Sequence, residues 1–115
     1  MDPFPEDFEL IEFFGSLPIV TDRDVPWFYN SLSFAREVDV GNIEVIIEPG
    51  YGILRVFWRD GNVDRARIEL QRVSGLLLER HRGRDTLVAK LKDPKAGDFR
   101  LQFAPTVLIE WFDMA

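Results

Sequence analysis

The sequence contains no cysteine. Disulfides, thiolate metal ligands and thiol catalysis are therefore excluded, which fits a reducing compartment. Histidine is nearly absent as well. His81 stands alone among Arg80, Arg82 and Arg84, where neighbouring cations disfavour its protonated form and no carboxylate is fixed beside it. It reads as a turn residue, since one histidine supplies neither a triad nor a ligand set. No apolar run is long enough to cross a bilayer. The start Met1-Asp2-Pro3-Phe4-Pro5 lacks the basic residues and apolar stretch of a secretory signal, so a cytoplasmic protein with no membrane contact is expected. Neither Gly50-Tyr51-Gly52 nor Gly83 leads from a strand into a helix bearing Lys and Ser or Thr, so no phosphate cradle is encoded. No cofactor, no metal and no catalytic set is expected.

What the chain does have is the make-up of one globular domain spanning residues 1–115, with 46% hydrophobic and 30% charged residues. Its net charge of −6 is unevenly spread. Residues 1–48 carry eleven acids and two arginines, whereas residues 49–115 carry nine acids and twelve bases. The simplest account is self-complementation, with acidic N-terminal elements lying beside basic strands.

The most legible stretch runs from Asn42 to Leu70, a three-stranded antiparallel meander. A four-residue loop at Pro49-Gly50-Tyr51-Gly52 sets Glu48 opposite Ile53, Ile46 opposite Arg55 and Glu44 opposite Phe57. Ile43, Val45, Ile47, Leu54, Val56 and Trp58 then share the other face. A three-residue loop at Asp60-Gly61-Asn62, with Asn62 left-handed, adds Ala66, Ile68 and Leu70 to that apolar face and sends Arg65 and Arg67 outward. A two-residue loop at Asp60-Gly61 would bury both arginines, which their charge disfavours.

Before the meander, residues 5–14 read as a short helix beginning near Asp2 or Pro3 and ended by Gly15. Phe4, Phe8 and Ile11 form its apolar stripe, widened by Leu10 and Phe14. Residues 16–26 form a connector, and residues 28–38 suggest a first strand. After the meander, strands are expected over 73–80, 84–91, 99–103 and 107–112, with turns at His81-Arg82-Gly83 and Asp93-Pro94-Lys95-Ala96-Gly97. The run Leu76-Leu77-Leu78 does not alternate; it is either a strand covered on both sides or a strand bulged at Gly75. The expected fold is α+β: a short N-terminal helix packed on a mainly antiparallel sheet of about eight strands, curled into a sandwich or an open barrel.

Three groups of residues carry candidate chemistry. Asp22 and Asp24 lie roughly 6.6 Å apart if extended, close enough for a carboxylate pair, although Asp-rich connectors before a proline are ordinary turn chemistry. Residues 55–84 hold eight arginines and no lysine. The outward face would set Phe57 among Arg55, Arg59, Arg65 and Arg67, like a stacking platform for single-stranded nucleic acid. Glu44, Glu48 and Glu69 share that face, so cross-strand ion pairing is the simpler reading, with Glu44 and Glu48 facing Arg55 and Arg59. Arg and aromatic residues in such a mixture also suit a protein-binding surface. Trp27, Phe28 and Tyr29 form the densest aromatic cluster, and core entry is its plain explanation, as it is for Trp111 and Phe112.

The stretch Phe13-Phe14-Gly15-Ser16-Leu17-Pro18, followed by Asp22, Asp24 and Val25, resembles the opening of small immunity proteins of bacterial polymorphic-toxin systems. It covers about the first 25 residues. Where that family's pattern has a tryptophan before the proline and a His-Asp pair after it, this chain has Leu17, Arg23 and Asp24. The resemblance implies a non-catalytic bacterial inhibitor that neutralises a toxin by direct binding. The expectation is thus a non-enzymatic protein-binding domain contacting its partner through Asp22, Asp24, Trp27, Arg55, Phe57, Arg59, Arg65 and Arg67. Single-stranded nucleic-acid binding through the Arg/Phe face is the alternative.

Overall fold

The computed structural model describes residues 1–93 and 95–113. Helix α1 (Asp7–Phe14) precedes strands β1 (Ile19–Val20), β2 (Leu32–Glu37), β3 (Asn42–Glu48), β4 (Ile53–Asp60) and β5 (Val63–Leu70). Strands β6 (Val73–His81), β7 (Arg84–Leu91), β8 (Ala96–Ala104) and β9 (Leu108–Asp113) complete the chain. The first five strands make one antiparallel sheet and the last four another, each in chain order. The expected α+β class is observed. Nine strands are described rather than about eight, and two separate sheets replace the open-barrel alternative.

The β3–β4 register is the one the Pro49-Gly50-Tyr51-Gly52 loop dictates: Glu48 faces Ile53, Ile46 faces Arg55 and Glu44 faces Phe57. Ile43, Val45, Ile47, Leu54 and Val56 are accordingly buried against Leu87, Ala89, Phe99 and Leu101 of the second sheet. The next turn corrects the expectation. Asp60 pairs with Val63 around a two-residue turn, and the left-handed residue is Gly61 rather than Asn62. The register then shifts, Arg59 facing Asp64 and Trp58 facing Ala66, so Arg65 is the extra residue of a bulge. That one extra residue keeps Ala66, Ile68 and Leu70 on the apolar side. It also removes Arg65 from the Phe57 face and sets its guanidinium 5.2 Å from the Trp58 ring centroid.

Helix α1 starts later than the 5–14 span. Glu6, not Asp2 or Pro3, is its N-cap, and the Glu9 carboxylate accepts a hydrogen bond from the Glu6 N–H at 3.0 Å. Gly15 ends it in the left-handed conformation, as expected. The buried stripe is Leu10, Phe13 and Phe14, whereas Phe8 is 62% exposed. Phe14 stacks on Phe34 of β2 at 4.5 Å and meets Phe103 of β8 edge-on at 5.7 Å, so the helix joins the two layers.

The connector and first strand also differ from expectation. Ile19 and Val20 pair with β2, Trp27–Tyr29 form a 3₁₀ turn, and the strand begins only at Leu32. In the second sheet, the register shifts between Val73 and Gly75, and Leu76, Leu77 and Leu78 then pair regularly with Ala89, Val88 and Leu87. There the Asp2 N–H donates to Ser74 O and the Leu76 N–H to Pro3 O, both at 2.8 Å. A Cβ on Gly75 would stand 2.8 Å from Pro3 Cδ, so glycine is what lets this N-terminal strap lie along β6. The 81–83 turn tightens to Arg82 and Gly83, both left-handed, with His81 facing Arg84. In the 93–97 loop, Pro94 lies outside the described residues.

One ion pair bridges the layers. Arg36 of β2 bonds Asp85 of β7 at 2.8 Å and donates to Phe13 O at the end of α1 at 2.9 Å. Its guanidinium also lies over the Phe13 and Phe103 rings, 5.3 and 5.6 Å from their centroids. Burial alone would raise the Asp85 carboxyl, but the hydrogen bond and charge of Arg36, with Arg80 added, hold it below the usual carboxylate range.

Candidate functional site

Alternation puts every second residue of β2 to β5 on the side away from the core. The resulting face carries Ser33 and Glu37 from β2, Glu44, Ile46 and Glu48 from β3, Arg55, Phe57 and Arg59 from β4, and Asp64, Arg67 and Glu69 near β5's ladder with them. Its arginines are held by carboxylates. Arg55 bonds Glu69 at 2.6 Å and Glu48 at 3.3 Å, Arg59 bonds Asp64 at 3.0 Å, and Arg67 bonds Asp64 at 2.7 Å. The hydrogen bond from Arg55 is the main reason Glu69 titrates below its ordinary range, with Gln71 assisting. Glu48 pairs with Arg55 as the sequence suggested. Glu44 does not reach Arg59 and instead accepts a hydrogen bond from Ser33 Oγ at 3.0 Å. Phe57, half-buried, sits between Glu44 and Arg67.

At one end this face runs into a cavity of about 350 Å³ lined by Thr21, Asp22, Tyr29, Ser31, Glu48 and Tyr51 together with Val25 and Asn30. Asn30 builds it. Buried beneath loop 21–25, its carbonyl accepts from the Thr21, Asp22 and Ser31 N–H groups at 3.1, 3.2 and 3.0 Å, and its amide donates to Asp22 O and Val25 O. Asp22 Oδ1 then accepts the Asp24 N–H at 3.0 Å, an Asx turn that fixes the Asp22 carboxylate in the loop. Tyr29 and Tyr51 stand out at the mouth, 71% and 80% exposed.

The expected contact residues are therefore divided. Arg55, Phe57, Arg59 and Arg67 lie together on the outer face; Asp22 lines the adjoining cavity and Asp24 sits beside it in the loop. Trp27 turns inward, edge-on to Phe34 at 6.2 Å and half-buried, and Arg65 is on the Trp58 side. Within the aromatic cluster, Phe28 and Tyr29 are the exposed members, and Trp111 is exposed rather than core; the Phe112 side chain lies outside the described residues. The sequence reading sends Tyr29 into the core with its cluster and does not single out Tyr51, yet Tyr51 in a Pro-Gly-Tyr-Gly turn is an aromatic with little around it to bury against. Among the described residues, no three acidic or imidazole side chains converge to hold a metal ion.

A second depression, of about 250 Å³, crosses the outer face of β6 to β9 and includes Glu79, His81, Arg84, Arg100 and Glu110. Arg100 is bonded to Glu79 across it. His81 lies exposed as the last residue of β6, next to the turn rather than in it as the sequence suggested.

The fold and site thus define a two-sheet α+β sandwich with a charged, aromatic-edged outer face. That architecture is shared with a chain of a solved structure described as a contact-dependent growth inhibition toxin and immunity protein complex from Klebsiella pneumoniae 342, with a TM-score of 0.78 and 17% identity over 95% of this chain and 94% of that one. The likeness agrees with the resemblance carried by residues 13–25. No protein-family model matches the sequence, and no curated protein matches it.

Proposed function

We propose that this chain is an immunity-type protein, a non-enzymatic bacterial inhibitor that protects its own cytoplasm by binding a toxin. The observation that carries the reading is the fold shared over 95% of the chain with a member of a toxin and immunity protein complex. The outer face supports it: paired Arg and Glu side chains around Phe57, continued by exposed tyrosines, have the composition of a protein interface. Single-stranded nucleic acid has less support, because Glu37, Glu44, Glu48, Asp64 and Glu69 outnumber Arg55, Arg59 and Arg67 on that face, and a phosphate backbone needs net positive charge.

The test is protection. A candidate toxin domain, drawn from the genes neighbouring this one, is induced in a bacterial host with and without this chain, and the two purified proteins are mixed. Restored growth and a complex on size exclusion are expected. No rescue, and no complex at micromolar concentration, would overturn the reading; salt-sensitive retention on single-stranded RNA or DNA would replace it with the alternative.

A further inference from the structure

Resting on the inhibitor reading, we propose that the cavity between loop 21–25 and the turns Trp27–Tyr29 and Pro49–Tyr51 receives one basic side chain of the protein partner, an arginine by preference. Its lining includes two carboxylates, Asp22 and Glu48, and no cation. Glu48 is partly compensated by Arg55 at 3.3 Å, but among the described residues Asp22 forms no ion pair. The cavity therefore carries uncompensated negative charge, and an incoming cation is its electrostatic complement. Two phenol rings at the mouth add a second, independent preference. Tyr29 and Tyr51 leave most of their surface exposed, and aromatic rings attract a guanidinium more than an anion or a neutral side chain.

Arginine suits the pair of features better than lysine. A planar guanidinium can stack on a phenol ring and hydrogen-bond a carboxylate in the same pose, whereas an ammonium is a compact, strongly hydrated point charge. The loop backbone that carries Asp22 is also held in place before anything binds. The Asn30 hydrogen bonds fix the backbone on which Asp22 stands, so little ordering remains to oppose association. At about 350 Å³ and open to solvent, the space admits a side chain rather than a folded segment.

The probe is the peptide acetyl-Gly-Arg-Gly-amide, titrated into the ¹⁵N-labelled protein, with its citrulline counterpart as the isosteric neutral control. Saturable amide shifts confined to Thr21, Asp22, Tyr29, Ser31 and Tyr51 are expected with arginine and not with citrulline. Asp22→Asn and Tyr51→Ala should each weaken the arginine peptide about fivefold. Both positions are exposed, and an unchanged spectrum elsewhere verifies the fold. Equal responses to the two peptides, shifts centred on the α1 acids Glu9 and Glu12, or no shift at millimolar peptide would overturn the inference. The same variants enter the growth-protection test. Peptide binding without protection by the wild-type protein sinks the inhibitor reading alone, whereas wild-type protection that survives both substitutions, without peptide binding, sinks this inference alone.

Discussion

Asn30 shows how one buried amide can set a surface. It orders five backbone groups of loop 21–25 and its neighbours, and removing it strips those groups of their partners. Asn30→Ala should cost about 2–4 kcal/mol in chemical denaturation. It should also raise amide exchange across residues 21–25 before the rest of the protein opens. Asp85 makes a different prediction. Its folded-state pKa lies below the unfolded value, so its contribution to stability is present above about pH 3.9 and is lost as pH falls through the folded value. Asp85→Asn leaves Arg36 without its counter-charge and should lower stability at pH 7 by about 2–3 kcal/mol. The acid limb of the stability curve should then be shallower than in the wild type, because the group that titrates there is gone.

Strands were more legible than the helix, and the reason lies in how each pattern meets its environment. Along β3 and β4 a period of two admits a single inward set once the turn is known, and Ile43 to Val56 obeyed it. In α1 apolar residues surround the axis, so the stripe read as Phe4, Phe8 and Ile11, widened by Leu10 and Phe14, takes in the wrong side at Phe8 and omits Phe13; packing around Phe34 and Phe103 buries Leu10, Phe13 and Phe14. The Asp60–Val63 turn was misread in length because a bulge and a shorter loop give the same parity farther along β5, and parity is all that burial reports. Of the candidate surface, the Arg55, Phe57 and Arg67 row was visible from alternation. The cavity was not, since it depends on the β1–β2–β3 ladder and on contact between the Trp27–Tyr29 and Pro49–Tyr51 turns, which are far apart in sequence. At the element scale Gly75 offers the cleanest test. Gly75→Ala should push the Asp2-Pro3 strap off β6, costing about 1–3 kcal/mol through the forced backbone shift. Protection of the Leu76 amide should fall while the β7 amides keep theirs.

Across the whole molecule, charge and topology combine to separate an outer face of surface ion pairs from a seam that joins the sheets. The acids of the N-terminal half do not simply neutralise the basic second half. Arg36 and Asp85 run the opposite way, a cation from the acidic half held by an acid from the basic half, and this pair with α1 welds the layers. The chain order of both sheets has a further consequence. Each sheet is complete on its own side of Gln71 and Arg72, and that dipeptide is the sole covalent crossing between β5 and β6. Severed there, the polypeptide yields two pieces that each own a full ladder but lack the opposing apolar wall, the strap along β6 and the Arg36–Asp85 pair. Co-expressed as 1–71 and 72–115, they should find one another and recover the native near-ultraviolet spectrum, whereas either alone should be captured by chaperones. Such a divisible protein can report, by reassembly, when two cellular events coincide.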